Sequence, residues 1–101
     1  MVIEYIRYRI PAALQADFIA DYRTASAALD RSPECLAYEM SHCEEEPDRF
    51  ILRVEWPSAA AHLEGFRQSE QFRDFLPLVR PYIEYMEEMQ HYDPTGISNR
   101  K

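Results

Sequence analysis

The stretch that decides the fold runs from Cys35 to Trp56, CLAYEMSHCEEEPDRFILRVEW. Its second half alternates. Phe50, Leu52, Val54 and Trp56 share one face; Ile51, Arg53 and Glu55 share the other. That period of two, on β-branched and aromatic residues, predicts a strand over 49–56 with one side buried. The first half, 35–44, carries Leu36, Tyr38, Met40 and His42 on a matching face. Between them, Glu45-Glu46-Pro47-Asp48 places proline and aspartate where a type I turn wants them, so the two strands form a hairpin. A short link sets Tyr38 roughly opposite Trp56, an aromatic cross-strand pair.

Upstream, residues 2–10 read as a further strand, closed by Pro11. Ile6, Tyr8 and Ile10 fall on one face, and Ile3, Tyr5, Arg7 and Arg9 on the other, so this strand is central and covered on both sides. Residues 12–31 read as a long helix, because Leu14, Phe18, Tyr22, Ala25 and Leu29 recur at helical spacing. Ser32-Pro33 ends it, since a residue before proline is pushed out of the helical region.

Downstream, Ser58 caps a helix running to about Gln68, and Ser69 caps a second set of turns to about Val79. Gly65, inside this stretch, allows close packing or a bend. Residues 82–92 suit either a strand or a helix; a strand is chosen because three strands and two helices leave one sheet position empty. Residues 94–101, PTGISNRK, have no apolar pattern and read as a mobile tail after a single domain over 1–93. The sum is an α+β, ferredoxin-like β-α-β-β-α-β chain with a four-stranded antiparallel sheet and helices on one face.

Composition narrows the function. The 101 residues are 47% apolar with a formal charge of −7, so a packed domain is expected and a nucleic-acid or anionic-membrane partner is not. MVIEYIRYRI lacks the apolar core of a signal peptide, and no run approaches the ~18 apolar residues of a membrane span. A cytoplasmic location is expected. Cys35 and Cys43 lie eight residues apart; on one strand they stand about 26 Å from each other, too far for a disulfide or a shared metal. His42 and Cys43, the one close His–Cys pair, point to opposite faces of a strand, and no nucleotide-binding glycine motif is present. No cofactor or metal is expected.

Several residues together carry a family resemblance. They are Ser32-Pro-Glu-Cys35, Phe50, the Glu55-Trp56-Pro-Ser58 strand end, His62 four residues later, Ser69 and Phe72 three apart, and the tyrosine-rich closing strand. In these the chain resembles the antibiotic biosynthesis monooxygenase domain family over about residues 1–93. The resemblance implies a homodimer, a dimeric α+β barrel in which two sheets meet with the helices outside. A mixed sheet face of Ile3, Tyr5 and Ile51 beside Arg53, Glu55 and Glu39 suits such an interface. There Arg7 and Arg53 are expected to form salt bridges, or else to face an anionic intermediate. Haem-degrading members of the fold carry an asparagine in strand one and a tryptophan and histidine in the second helical region. This chain has no such asparagine, and its tryptophan sits at a strand end, so haem breakdown is disfavoured.

The resemblance further implies oxygenation without flavin, metal or haem, on a quinol or polycyclic phenol. His62 would assist proton transfer, Tyr38 or Tyr85 would hydrogen-bond the oxyanion, and Trp56, Phe66 and Phe72 would wall the substrate, with His91 a further candidate lining residue. Two other classes stay open: an isomerase or lyase acting on a small carbonyl compound, and a non-catalytic binding dimer whose aromatics fill a solid core.

Overall fold

The computed structural model describes residues 1–101. The elements, in chain order, are β1 (Val2–Arg9), α1 (Gln15–Arg31), β2 (Ala37–His42), β3 (Arg49–Trp56), α2 (Glu70–Val79) and β4 (Met86–Tyr92). One 3₁₀ turn leads into α1, and a π turn (Ala61–Gly65) followed by a 3₁₀ turn (Phe66–Gln68) precedes α2. The four strands form one antiparallel sheet in the order β2-β3-β1-β4. β1 and β3 are therefore central, and the expected β-α-β-β-α-β order holds.

Periodicity explains which face is buried. Phe50, Leu52, Val54 and Trp56 of β3 and Ile6 and Tyr8 of β1 all turn toward the helices and are buried. From α1 they meet Phe18, Tyr22, Ala25 and Leu29, the stripe read from the sequence. The helices cover this one face only. On the other, Ile3, Tyr5, Ile51 and Arg53 are half-buried. Arg7 and Arg53 bind acidic neighbours of their own chain there, Glu88 at 2.6 Å and Glu55 at 2.5 Å.

Four local expectations need correction. Tyr38 pairs with Val54 rather than Trp56. The loop is longer than the four residues assigned to it: pairing stops at His42 opposite Phe50, which leaves residues 43–48 outside the strands. β4 starts at Met86, not residue 82, because Arg80–Tyr85 wind into a 3₁₀ helix that opens with a proline, where a missing backbone N–H costs nothing. Finally, the helix after Ser58 is not a regular α-helix. Ser58 Oγ does accept from the Ala61 N–H, as a cap should, but the next turn widens, and the Phe66 N–H reaches both Ala61 O and His62 O.

Gly65 permits a close approach. A β-carbon there would lie 3.0 Å from Cγ and 3.1 Å from Oε1 of Glu34, tighter than nearly all real contacts. Ser69 accepts from the Phe72 N–H at 3.2 Å and starts α2.

Candidate functional site

Between the sheet and the second helical region lies a cavity of about 480 Å³, with walls that are mostly apolar. Trp56, Phe66, Phe72 and Phe75 supply its aromatic side; Leu52, Val54 and Met86 are among its aliphatic walls. Ile83 and Met89 are its most exposed members. Concave, apolar and sparsely polar, it has the character of a small-molecule site.

The polar groups gather at one end. The π turn puts them there. On a regular helix Leu63 would share the inward stripe with Ala59 and Phe66. In the widened turn His62 points inward and is 4% exposed, while Leu63 is 42% exposed. The His62 ring stacks on Trp56, centroids 4.6 Å apart and planes 18° from parallel. Its Nδ1 hydrogen-bonds Nε2 of His91 at 2.8 Å, and its Nε2 lies 3.6 Å from Oε1 of Glu4. The indole N–H of Trp56 donates to that same Glu4 oxygen at 3.0 Å. Oε2 of Glu4 is buried and has no hydrogen-bond partner.

An unpaired carboxylate oxygen in an apolar wall is expensive. Burial, which disfavours the charged form, pushes the Glu4 carboxyl up to about 7, against the opposing help of the Trp56 N–H and the Arg67 charge. Burial also pushes the His62 imidazole down to about 3, with the Arg67 and His91 charges adding to it. At neutral pH His62 is therefore uncharged, and its contact with Glu4 is a dipolar one rather than an ion pair. His91 is lowered by burial first and then by Arg67. The carboxyl is the group poised to exchange a proton near neutrality.

The sequence-derived candidates divide. His62, Trp56, Phe66 and Phe72 all line the cavity. Tyr38 does not: its hydroxyl donates to Asp30 at 2.6 Å and its ring lines a separate depression beside α1. Tyr85 lies in the 3₁₀ turn, half-buried against the core and outside the cavity wall. Neither tyrosine is placed to hold an oxyanion in the cavity. His91, read as one more lining residue, instead backs His62 from behind. Glu4 was missed. A signal was present, since it shares the parity of Ile6, Tyr8 and Ile10 on a strand covered on both sides.

Glu4, His62 and His91 also make a donor set for a metal, one ligand atom from each lying within 4.8 Å of the others. The sequence points only to Cys35, His42 and Cys43 as possible metal ligands and gives no sign of this set. Two features oppose a cation. The Arg67 charge acts on all three groups. The two imidazoles also touch directly at 2.8 Å, whereas ligands on tetrahedral zinc bonds of ~2.1 Å stand about 3.4 Å apart. A hydrogen-bonded pair of imidazoles with the Glu4 carboxyl 3.6 Å beyond it fits these distances better. Cys35 and Cys43 are both free, as expected. No helix is long and apolar enough to cross a membrane.

Known proteins share this architecture. A Bordetella bronchiseptica protein assigned to the antibiotic biosynthesis monooxygenases superposes with a TM-score of 0.77 at 26% identity, over 93% of this chain and 96% of that one. SnoaB, a cofactor-independent oxygenase from Streptomyces nogalater, superposes at 0.75 with 16% identity, over 93% and 92% of the two chains. In sequence, the uncharacterized Bacillus subtilis protein YczJ is 26% identical over 92 residues, 91% of this chain and 97% of that protein. The antibiotic biosynthesis monooxygenase profile matches residues 1–78, which hold Glu4, Trp56, His62 and Phe72, and on that match the chain belongs to the antibiotic biosynthesis monooxygenase family.

Proposed function

We propose that the protein is a cofactor-independent monooxygenase acting on a quinol or polycyclic phenol. The observation that carries this reading is an aromatic cavity of about 480 Å³ with a buried carboxyl–imidazole pair, Glu4 and His62, at one end. Its family supports the reading, as does its likeness in fold to an oxygenase named as cofactor-independent.

The chemistry asks little of the protein. The bound phenol gives its proton to the Glu4–His62 pair, with His91 behind it. The resulting anion passes one electron to O₂, the radical pair combines to a peroxide anion that takes the proton back from the pair as a hydroperoxide, and loss of water leaves a quinone. One oxygen atom enters the product and the other leaves as water, so no external reductant is consumed. Trp56, Phe66 and Phe72 hold the planar ring and exclude solvent. Oxygen uptake with a panel of quinols tests the reaction. His62→Ala should lower turnover by ~100-fold or more if the pair moves the proton. Near-normal turnover in that variant would remove His62 from the mechanism, and oxygen-independent consumption of a carbonyl substrate would favour an isomerase instead.

The assembly that goes with this reading is a homodimer, with the half-buried sheet face of Ile3, Tyr5 and Ile51 covered by a second copy. Sedimentation at low concentration is expected to give a dimer; a stable monomer would overturn it.

A further inference from the structure

The proposed reaction creates an anion, and the two tyrosines expected to hold it lie outside the cavity. Some other group must face it, and the cavity wall offers few. The titratable groups lining the wall are Glu4, Tyr8, Tyr22, His62 and Arg67. Tyr8 and Tyr22 hydrogen-bond each other. The Tyr8 hydroxyl is pushed up to about 12 by burial, and that of Tyr22 well above its usual value. His62 is uncharged. Arg67 is therefore the cavity's cation at neutral pH.

Arg67 is also uncommitted. Arg7, Arg9, Arg31, Arg49 and Arg53 each lie within 4.0 Å of a carboxylate, whereas Arg67 has none within that distance. Its one side-chain hydrogen bond is from Nη2 to the sulfur of Met89 at 3.6 Å, a weak acceptor. A half-buried guanidinium that faces an apolar cavity with no carboxylate within salt-bridge reach has its strongest donors unused. It also stands close enough to Glu4, His62 and His91 for its charge to be felt by all three.

We propose that Arg67 is the anion-holding group of the cavity and that the ligand it takes is an acidic phenol or enol, bound as its oxyanion. This rests on the function proposed above and names the substrate class more narrowly. The ligand enters neutral, its O–H proton passes to the free oxygen of Glu4, and the new negative charge lies against the guanidinium. Charge is conserved within the cavity: one carboxylate is neutralised as one phenolate appears. A simple hydrocarbon or a non-acidic alcohol has no place in such a site, and an aromatic with a permanent second charge would meet an uncompensated apolar wall.

The test uses 4-nitrophenol, whose phenolate absorbs visible light and whose neutral form does not. It is titrated into the whole protein at a pH just below the free phenol's own midpoint, where part of Glu4 is still ionised, while Trp56 fluorescence reports occupancy independently. Wild type is expected to quench and to develop the phenolate band. Arg67→Met should still quench but lose the band, with affinity down ~10-fold or more. Arg67→Lys should restore part of it. Arg67→Gln stands in if the methionine variant fails to fold. An equal band in wild type and Arg67→Met, or quenching without a band in wild type, overturns the role of Arg67 and leaves the aromatic cavity standing. No quenching and no band in wild type overturns both.

Discussion

Two ends of the same sheet–helix layer are built from the same kind of residue and end up opposite in character. At one end Phe18 is fully buried, with ring centroids 5.0 Å from Tyr8, Tyr22 and Phe50 and 5.1 Å from Tyr82. The hydroxyls there are matched: Tyr82 donates to Asp21, and Tyr8 and Tyr22, which reach from this end to the cavity wall, bond each other. At the other end Trp56, Phe66 and Phe72 leave a cavity, and a buried carboxylate oxygen has no partner. The difference comes from the helix above. Over the closed end runs α1, seventeen regular residues whose stripe meshes with the strands. Over the open end the chain passes through a π turn and a 3₁₀ turn before α2 begins. An irregular helix cannot fill a regular surface, and the unfilled space is where polar groups collect.

The contrast is breakable by mutation. The largest effect is expected at the closed end: Phe18→Ala should cost about 3–5 kcal/mol in urea unfolding, because the ring is fully buried among four aromatic neighbours. The next is at the open end and depends on pH. The Glu4 carboxyl is raised in the folded protein, to about 7 from 4.5, so the native state binds the proton more tightly and stability falls as pH rises from about 4.5 to about 7. His62 is lowered to about 3 from 6.5, so its share of stability is complete above about 6.5 and is lost as pH falls toward 3. The two slopes oppose each other between 4.5 and 6.5, and wild type should look flat there. Glu4→Gln keeps an acceptor for the Trp56 N–H and removes the first slope. Relative to wild type it should gain up to ~3 kcal/mol between pH 4.5 and pH 8. A gap that does not change with pH would mean that Glu4 is not held up by burial. The smallest effect is expected at the cavity wall, where Phe72→Ala should cost roughly 1–2 kcal/mol, since its ring already borders empty space and is only partly buried. If it costs as much as Phe18→Ala, the two ends are not different and the cavity closes in solution.

Much of the fold was legible because it rests on period. The β3 face, the α1 stripe and the caps at Ser58 and Ser69 each follow from spacing that the structure keeps. The site was half legible. Trp56, Phe66 and Phe72 are large apolar residues on readable faces, and they arrive where expected. His62 enters the site on the family resemblance; only the π turn makes it point straight in, and no local pattern announces such a turn. Tyr38 was set two positions out of register, because a hairpin's pairing depends on a loop whose length the sequence leaves open. Glu4 was overlooked because a charge among strand residues is ordinarily read as a solvent-facing one. Its parity with Ile6 and Tyr8 argued otherwise.

The polar end of the cavity draws Glu4 from β1 and His91 from β4, the first and last strands of the sheet. Those strands are neighbours in space and register, Glu4 lying directly opposite His91. During synthesis the hairpin and α1 leave the ribosome long before that pairing is possible. The closed end is thus able to consolidate early on nearer contacts, whereas the chamber waits for the most distant pairing in the chain, which is the slow kind. Assembly of the pocket therefore reports the end of folding, and a probe that fills it should light up only after the rest of the molecule is already in place.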